Sequence, residues 1–223
     1  MAIKNNGEAF SITSTTSNLI SGLIFTPSDV AFLDGYFIVS ERNGNRIQWN
    51  FDNTTGWNAL NFSKAQASSD NIVGLLATNR DLWVFCESSI EFFVPTNDVE
   101  ELAFRSRQVT IQRGCGAKNS IVGYDDSVIW MGDDRVFYRS KSYAPEAISS
   151  RGIDNIVARF DVVSDAQASV YSQNGHKFYC VTFPTEKRTF CLDLTTGKWH
   201  ERESRDQGRW RVSEIASVYG KVL

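Results

Sequence analysis

Apolar, strand-like runs recur along the chain, each broken by a tight polar turn and followed by a second apolar run rich in aromatics. Five copies of this element stand out, at Asp29–Val39, Ile72–Phe85, Ser120–Trp130, Ala168–Val181 and Ile215–Leu223. Their turns centre on Gly35, Arg80, Asp126, Gly175 and Gly220, a spacing of about 45 to 49 residues, which is the length of a four-stranded repeat unit. The runs favour Val, Ile, Phe and Tyr over Ala and Leu, and such side chains fit the pleated surface of a strand. Asp34-Gly35 and Asn174-Gly175 are the strongest local signals. Both central positions of a type I′ hairpin turn need positive φ, which Gly takes freely and Asn or Asp tolerates.

The pattern predicts an all-β protein, a β-propeller of four-stranded blades at about 26–66, 67–112, 113–160 and 161–212, with an N-terminal segment 1–25 and the start of a fifth blade at 213–223. A polar turn precedes a tryptophan twice, in Asp52-Asn-Thr-Thr-Gly56-Trp57 and Asp193-Leu-Thr-Thr-Gly197-Lys-Trp199. Each is expected to join the third and fourth strands of a blade and to place its Trp between neighbouring blades. One short helix is expected over Asp154–Phe160, capped by Asp154. A blade that starts at 213 and stops at Leu223 leaves strand edges unpaired, so the chain is expected to be a fragment, a truncated frame or a proteolysed product.

Composition narrows the functional classes. The chain has 223 residues, 42% hydrophobic and 22% charged, enough to bury a substantial core. A formal net charge of −3 provides no global field for nucleic acid, although the Arg-rich stretches 105–113 and 202–211 are suited to local contacts. No apolar run approaches the roughly 18 residues of a membrane span, and the N-terminus lacks an apolar signal region. Cys86, Cys115, Cys180 and Cys191 form no CxxC pair and no set with His176 and His200, so no zinc site is expected. Cys180 and Cys191 flank the short hairpin 183–188 and are placed to face each other, but reduced, buried thiols are the expectation for a cytosolic protein.

The candidate chemistry is sparse. Asp125-Asp126 and Asp133-Asp134 are adjacent carboxylates that a glycosidase or cation site would use, yet both lie in turn-like sequence and read first as turn formers. His176 and His200 have no nucleophile-elbow partner, which leaves them as surface or blade-edge residues. Gly114-Cys115-Gly116 is not followed by a helix pattern that would hold a phosphate, and reads as a tight connection. Tyr124, Trp130, Phe137 and Tyr138, candidates for a stacking platform, read as core at strand spacing. Arg105, Arg107, Arg113 and Arg151 are candidate rim contacts whose plain reading is solvated charge. No catalytic, cofactor or metal site is therefore assigned.

From residue 29 onward, a series of segments resembles the packaged-DNA stabilisation proteins, or tail accessory factors, of lambdoid short-tailed phages. They are Asp29–Phe37, Arg80–Glu91, Ile111–Gly116, Val128–Asp133, Ala144–Ser149, Gly175–Pro184 and Thr196–Arg202, while Met1–Ile20 looks unrelated. The resemblance implies a non-enzymatic propeller subunit of the virion tail, assembled in the bacterial host cytoplasm as a ring, a hexamer in that family. It implies a role in closing the portal channel after packaging and retaining the DNA. Its implied partners are the portal and adaptor proteins, the tail needle and the tailspikes, with no membrane and no sequence-specific nucleic acid. A carbohydrate-binding or carbohydrate-cleaving propeller and a host protein-interaction propeller are the competing readings.

Overall fold

The structure, a computed structural model, describes residues 1–51, 55–96, 102–212, 215, 217–218 and 221–222. The chain divides into two compact units, Met1–Cys115 and Gly116–Leu223. The first begins with a three-stranded sheet of β1 (Ala2–Ile3), β2 (Ala9–Ile12) and β3 (Ser17–Leu19). Two four-stranded sheets follow: β4 (Pro27–Leu33), β5 (Tyr36–Glu41), β6 (Arg46–Phe51) and β7 (Phe62–Lys64), then β8 (Ile72–Thr78), β9 (Asp81–Cys86), β10 (Ile90–Pro95) and β11 (Phe104–Ile111). The second unit contains β12 (Val122–Tyr124), β13 (Ser127–Met131), β14 (Phe137–Ser140) and β15 (Pro145–Ala147), the helix α1 (Arg151–Val157), and β16 (Gln167–Gln173), β17 (His176–Phe183), β18 (Arg188–Asp193) and β19 (Lys198–Glu201). It ends in a pair, β20 (Ser217–Val218) and β21 (Lys221–Val222). Within each sheet every strand is antiparallel to its chain neighbours.

The first turn of each four-stranded sheet falls where the pattern placed it. Asp34 and Gly35 have φ of 47° and 87°, and Asn174 and Gly175 have 51° and 80°. Asn79 and Arg80 make the equivalent turn without a glycine, at φ of 51° and 65°, and Asp125 is at 49°. Gly220, and residues 52–54 of the first Thr-Thr-Gly turn, lie outside the described residues.

Two expectations are corrected. The helix starts at Arg151, and its cap is Ser150, extended at φ −86° and ψ 155°, whose Oγ accepts from the Ile153 N–H at 3.4 Å. Asp154 sits inside the first turn, where it complements the positive end of the helix. The second correction concerns the thiols: Cys180 and Cys191 are joined as a disulfide. The connection between β17 and β18 pairs Phe183 with Arg188, and that register sets Cys180 directly opposite Cys191, with 4.1 Å between their Cα atoms.

Packing explains the apolar runs. Leu82, Val84 and Cys86 leave one face of β9 and join Ile38, Ile47 and Trp49 of the preceding sheet, and Asp29 Oδ2 accepts from the Leu75 N–H at 2.8 Å between the same two sheets. Trp83 and Phe85 leave the opposite face, where Trp83 packs edge-on against Phe92. All six β9 residues are thus buried. In the second unit Ile129, Met131 and Phe137 pack with Tyr179, Val181 and Phe190, and α1 adds Ile153 and Val157 to this core.

A buried polar residue joins the start of the chain to the second sheet. Gln48, fully inaccessible on β6, accepts from the Ile24 N–H at 3.0 Å and donates to Gly22 O at 3.0 Å and Asn58 O at 3.1 Å. Gln48→Met preserves most of the volume but orphans one half-buried donor and two acceptors. It is expected to cost about 1–3 kcal/mol, read in urea as a lower midpoint at unchanged slope.

Candidate functional site

The residues weighed for chemistry are held in turns, edges and cores. In the β12–β13 hairpin the two carboxylates turn to different lysines, Asp125 to Lys177 at 3.2 Å and Asp126 to Lys141 at 3.8 Å. The Lys177 hydrogen bond keeps the Asp125 carboxyl below its usual range. Between β13 and β14, Asp134 accepts from the Val136 N–H at 3.2 Å through Oδ1 and from the Tyr138 hydroxyl at 2.7 Å through Oδ2. Asp134 therefore ties the connection, as a turn former does. Among the described residues no group of three or more His, Cys, Asp or Glu is arranged to hold a metal ion.

The second Thr-Thr-Gly turn is built around Asp193. Its Oδ1 accepts from the Thr195 N–H at 2.9 Å, its Oδ2 from the Thr196 hydroxyl at 2.8 Å, and His176 Nδ1 lies 2.8 Å from Oδ2. Burial pushes the Asp193 carboxyl up, but the hydrogen bonds from Thr196, His176 and the Thr195 N–H outweigh it and hold the group at about 2. The His–Asp contact supplies two of the three members of a catalytic triad, yet among the described residues the His176 ring hydrogen-bonds Asp193 and no nucleophile. His200 packs edge-on to Phe178, and burial together with neighbouring Arg202 pushes its imidazole towards the neutral form.

Trp130 and Phe137 are fully buried and Tyr138 is nearly so, which removes them from any stacking platform. Tyr124 is covered by the Lys177 ammonium, 4.9 Å from its ring. The Gly114-Cys115-Gly116 segment is a tight connection: a Cβ on Gly114 would lie 1.9 Å from Glu87 O, and the Cys115 N–H donates to Cys86 O at 3.0 Å. Trp199 bridges two sheets, packing on Phe137 and donating its Nε1–H to Ile148 O at 2.8 Å, while Trp57 is buried with Ala9, Ile20 and Val39. Arg107 pairs with Asp81 at 2.7 Å, and Arg105, Arg113 and Arg151 are exposed.

Three features escape the linear pattern. Glu91 is buried on β10, where desolvation raises its carboxyl pKa and the Ala67 N–H donates to it at 2.8 Å. A cleft of about 780 Å³ lies between the outer strands β7 and β11, lined by Asn61, Ser63, Leu102 and Arg105 among others. On the sheet of β16 to β19, the Arg202 guanidinium lies against the rings of Tyr171, Phe178 and Trp210 at 5.6, 5.5 and 4.8 Å, donates to the Tyr171 hydroxyl, and borders a slot of about 360 Å³. The slot joins β16 to the segment that follows β19, and that segment is not placed by strand register.

The Asp193 geometry sets a pH dependence. The folded carboxyl is held at about 2, below its unfolded value near ~3.9, so its contribution is present above about pH 4 and lost as the pH falls towards 2. Asp193→Asn is expected to lower Tm at pH 7 and to flatten the loss between pH 4 and 2, as followed by thermal melts across that range.

Comparison with known proteins identifies the architecture. The family model described as bacteriophage P22 Gp10, beta-propeller, matches residues 1–223. The match includes Met1–Ile20, the segment expected to be unrelated. No curated protein matches the sequence. Among solved structures, the computationally designed Ika8 protein superposes with a TM-score of 0.54 at 10% identity, covering 92% of this chain and 56% of that one. YCF48 from Cyanidioschyzon merolae gives 0.49 at 10% identity, covering 79% and 61%, and BamB from Moraxella catarrhalis gives 0.46 at 12%, covering 78% and 49%. The chain thus spans between about half and three fifths of the length of these structures. The succession of antiparallel four-stranded sheets agrees with the family match over the full sequence, and the chain belongs to the phage structural family of bacteriophage P22 Gp10, whose members are β-propellers.

Proposed function

We propose that this chain is a non-enzymatic subunit of a short-tailed phage tail that closes the portal channel after genome packaging, retains the DNA in the head and provides a platform for further tail parts. The observation that carries the reading is the family match over residues 1–223. On this reading the chain assembles in the host cytoplasm into a homo-oligomeric ring of six, contacts the portal and adaptor proteins, and receives the tail needle and tailspikes.

The chemistry of the chain supports the same role. Closing a pressurised channel calls for broad, stiff interfaces and no turnover. The sheets are packed through buried aromatics, and three carboxylates of a glycosidase reading, Asp125, Asp126 and Asp134, are occupied by lysines and turn groups. The purified chain should co-sediment with the portal and adaptor assembly of its own phage at several copies per ring, and only when the adaptor is present. Binding that ignores the adaptor, or no binding by the folded chain, would sink the reading, and a glycan screen would then test the carbohydrate alternative.

A further inference from the structure

We propose that Cys180 and Cys191 form a reversible oxidation site, a dithiol in the reducing host cytoplasm that closes to a disulfide once the particle has left it and locks the β17–β18 ladder. The two residues are opposed across neighbouring strands, so closing the bond needs no change of register. Both are buried, packed with Tyr171 and covered by Phe178, Trp210 and Ile215. A slot of about 360 Å³ shares Tyr171, Trp210 and Ile215 with the cover over the pair, though neither cysteine lines it, so a small thiol or disulfide reaches the sulfurs only when that cover shifts. Trp210 closes this side: its backbone N–H donates to Thr189 Oγ1 at 3.0 Å and its ring stacks on Arg202. The other two cysteines are buried elsewhere, in the first unit, and burial pushes the Cys86 thiol up to about 12, which keeps it unreactive.

The oxidant is a low-molecular-weight disulfide. One cysteine thiolate attacks a sulfur of the oxidant, whose S–S bond breaks and releases the first small thiolate. The second cysteine thiolate then attacks the protein sulfur of the mixed disulfide, forming the Cys180–Cys191 bond and releasing the second small thiolate. The two cysteine thiols lose two electrons and two protons, and the oxidant leaves as two small thiols. The chemistry rests on this geometry alone, whereas its timing rests on the tail-closure reading.

The test uses the full chain in glutathione buffers from fully reduced to fully oxidised, acid-quenched and then labelled in denaturant with maleimide-polyethylene glycol. Four labelled cysteines should fall to two on oxidation, with Tm rising by roughly 5–10 °C for a bridge across this sequence separation of 11 residues. Cys180→Ser with Cys191→Ser, or Cys180→Ala with Cys191→Val if the first pair folds poorly, should hold Tm at the reduced value in every buffer. Trp210→Ala should speed reduction of the wild-type bond by a small thiol. Four labels in oxidised buffer, or equal Tm in both states, would overturn the site. In a second arm, lysates of phage-producing cells and purified particles are alkylated at once. A dithiol in cells and a disulfide in particles is expected, and the same state in both overturns the switch. Absence of the chain from particles overturns the tail reading and the timing with it, while the buffer titration still decides the chemistry.

Discussion

The constraint on which the structure depends is that central strands of its four-stranded sheets are buried on both faces. On β9, Leu82 and Val84 point into the core shared with Ile38 and Trp49, while Trp83 points the other way against Phe92. Burying a large apolar side chain contributes about 1.5–3 kcal/mol, so a sheet of this kind standing alone would leave that contribution unrealised on both faces. It must be stacked. The polar links between adjacent sheets follow from that stacking: the Asp29 carboxylate on the Leu75 N–H in the first unit, and the Trp199 indole on Ile148 O and the Lys177–Asp125 pair in the second. Each link is specific because the faces around it already fix the sheets.

This constraint also explains how much of the fold was legible in the sequence. A sheet buried on both sides needs continuous apolar runs, and its first hairpin needs residues that tolerate positive φ, so the runs and the turns at Gly35 and Gly175 were visible directly. The turn at Asn79-Arg80 was visible from its spacing alone, since it carries no glycine. The helix start was missed because two capping residues, Ser150 and Asp154, compete within one short segment, and only the backbone at Ser150 decides between them. The disulfide is not legible from compartment, which favours reduced thiols; it follows from the register of β17 and β18, which brings the two cysteines into direct opposition.

Buried polar residues were the least legible part. Gln48 and Glu91 look like surface residues in a linear reading, since amides and carboxylates are mostly exposed. Their partners, the backbone of residues 22, 24 and 58 for Gln48 and of Ala67 for Glu91, come from loops 10 to 26 residues away in the sequence. The Arg202 slot is of the same kind, with Tyr171, Phe178 and Trp210 drawn from two strands and a later loop. Sequence spacing predicts which residues share a strand face. It does not predict which distant loop will cover that face.

Perturbed ionisation is commonly a mark of an active site, and here Glu91, Cys86 and Asp193 are perturbed by local structural causes. Glu91 and Cys86 are shifted chiefly by burial within the sheet of β8 to β11, and the clefts at β7 and β11 and beside Arg202 are lined by neither. Asp193 is shifted by the hydroxyl, amide and imidazole that close its own turn, and those bonds occupy the carboxylate a general base would need open. Catalysis requires a titrating group with unused bonding capacity facing a substrate. Of the shifted groups, Glu91 accepts from the Ala67 N–H and Asp193 from the Thr195 N–H, so both use bonding capacity to hold backbone in place, in a chain whose family is structural.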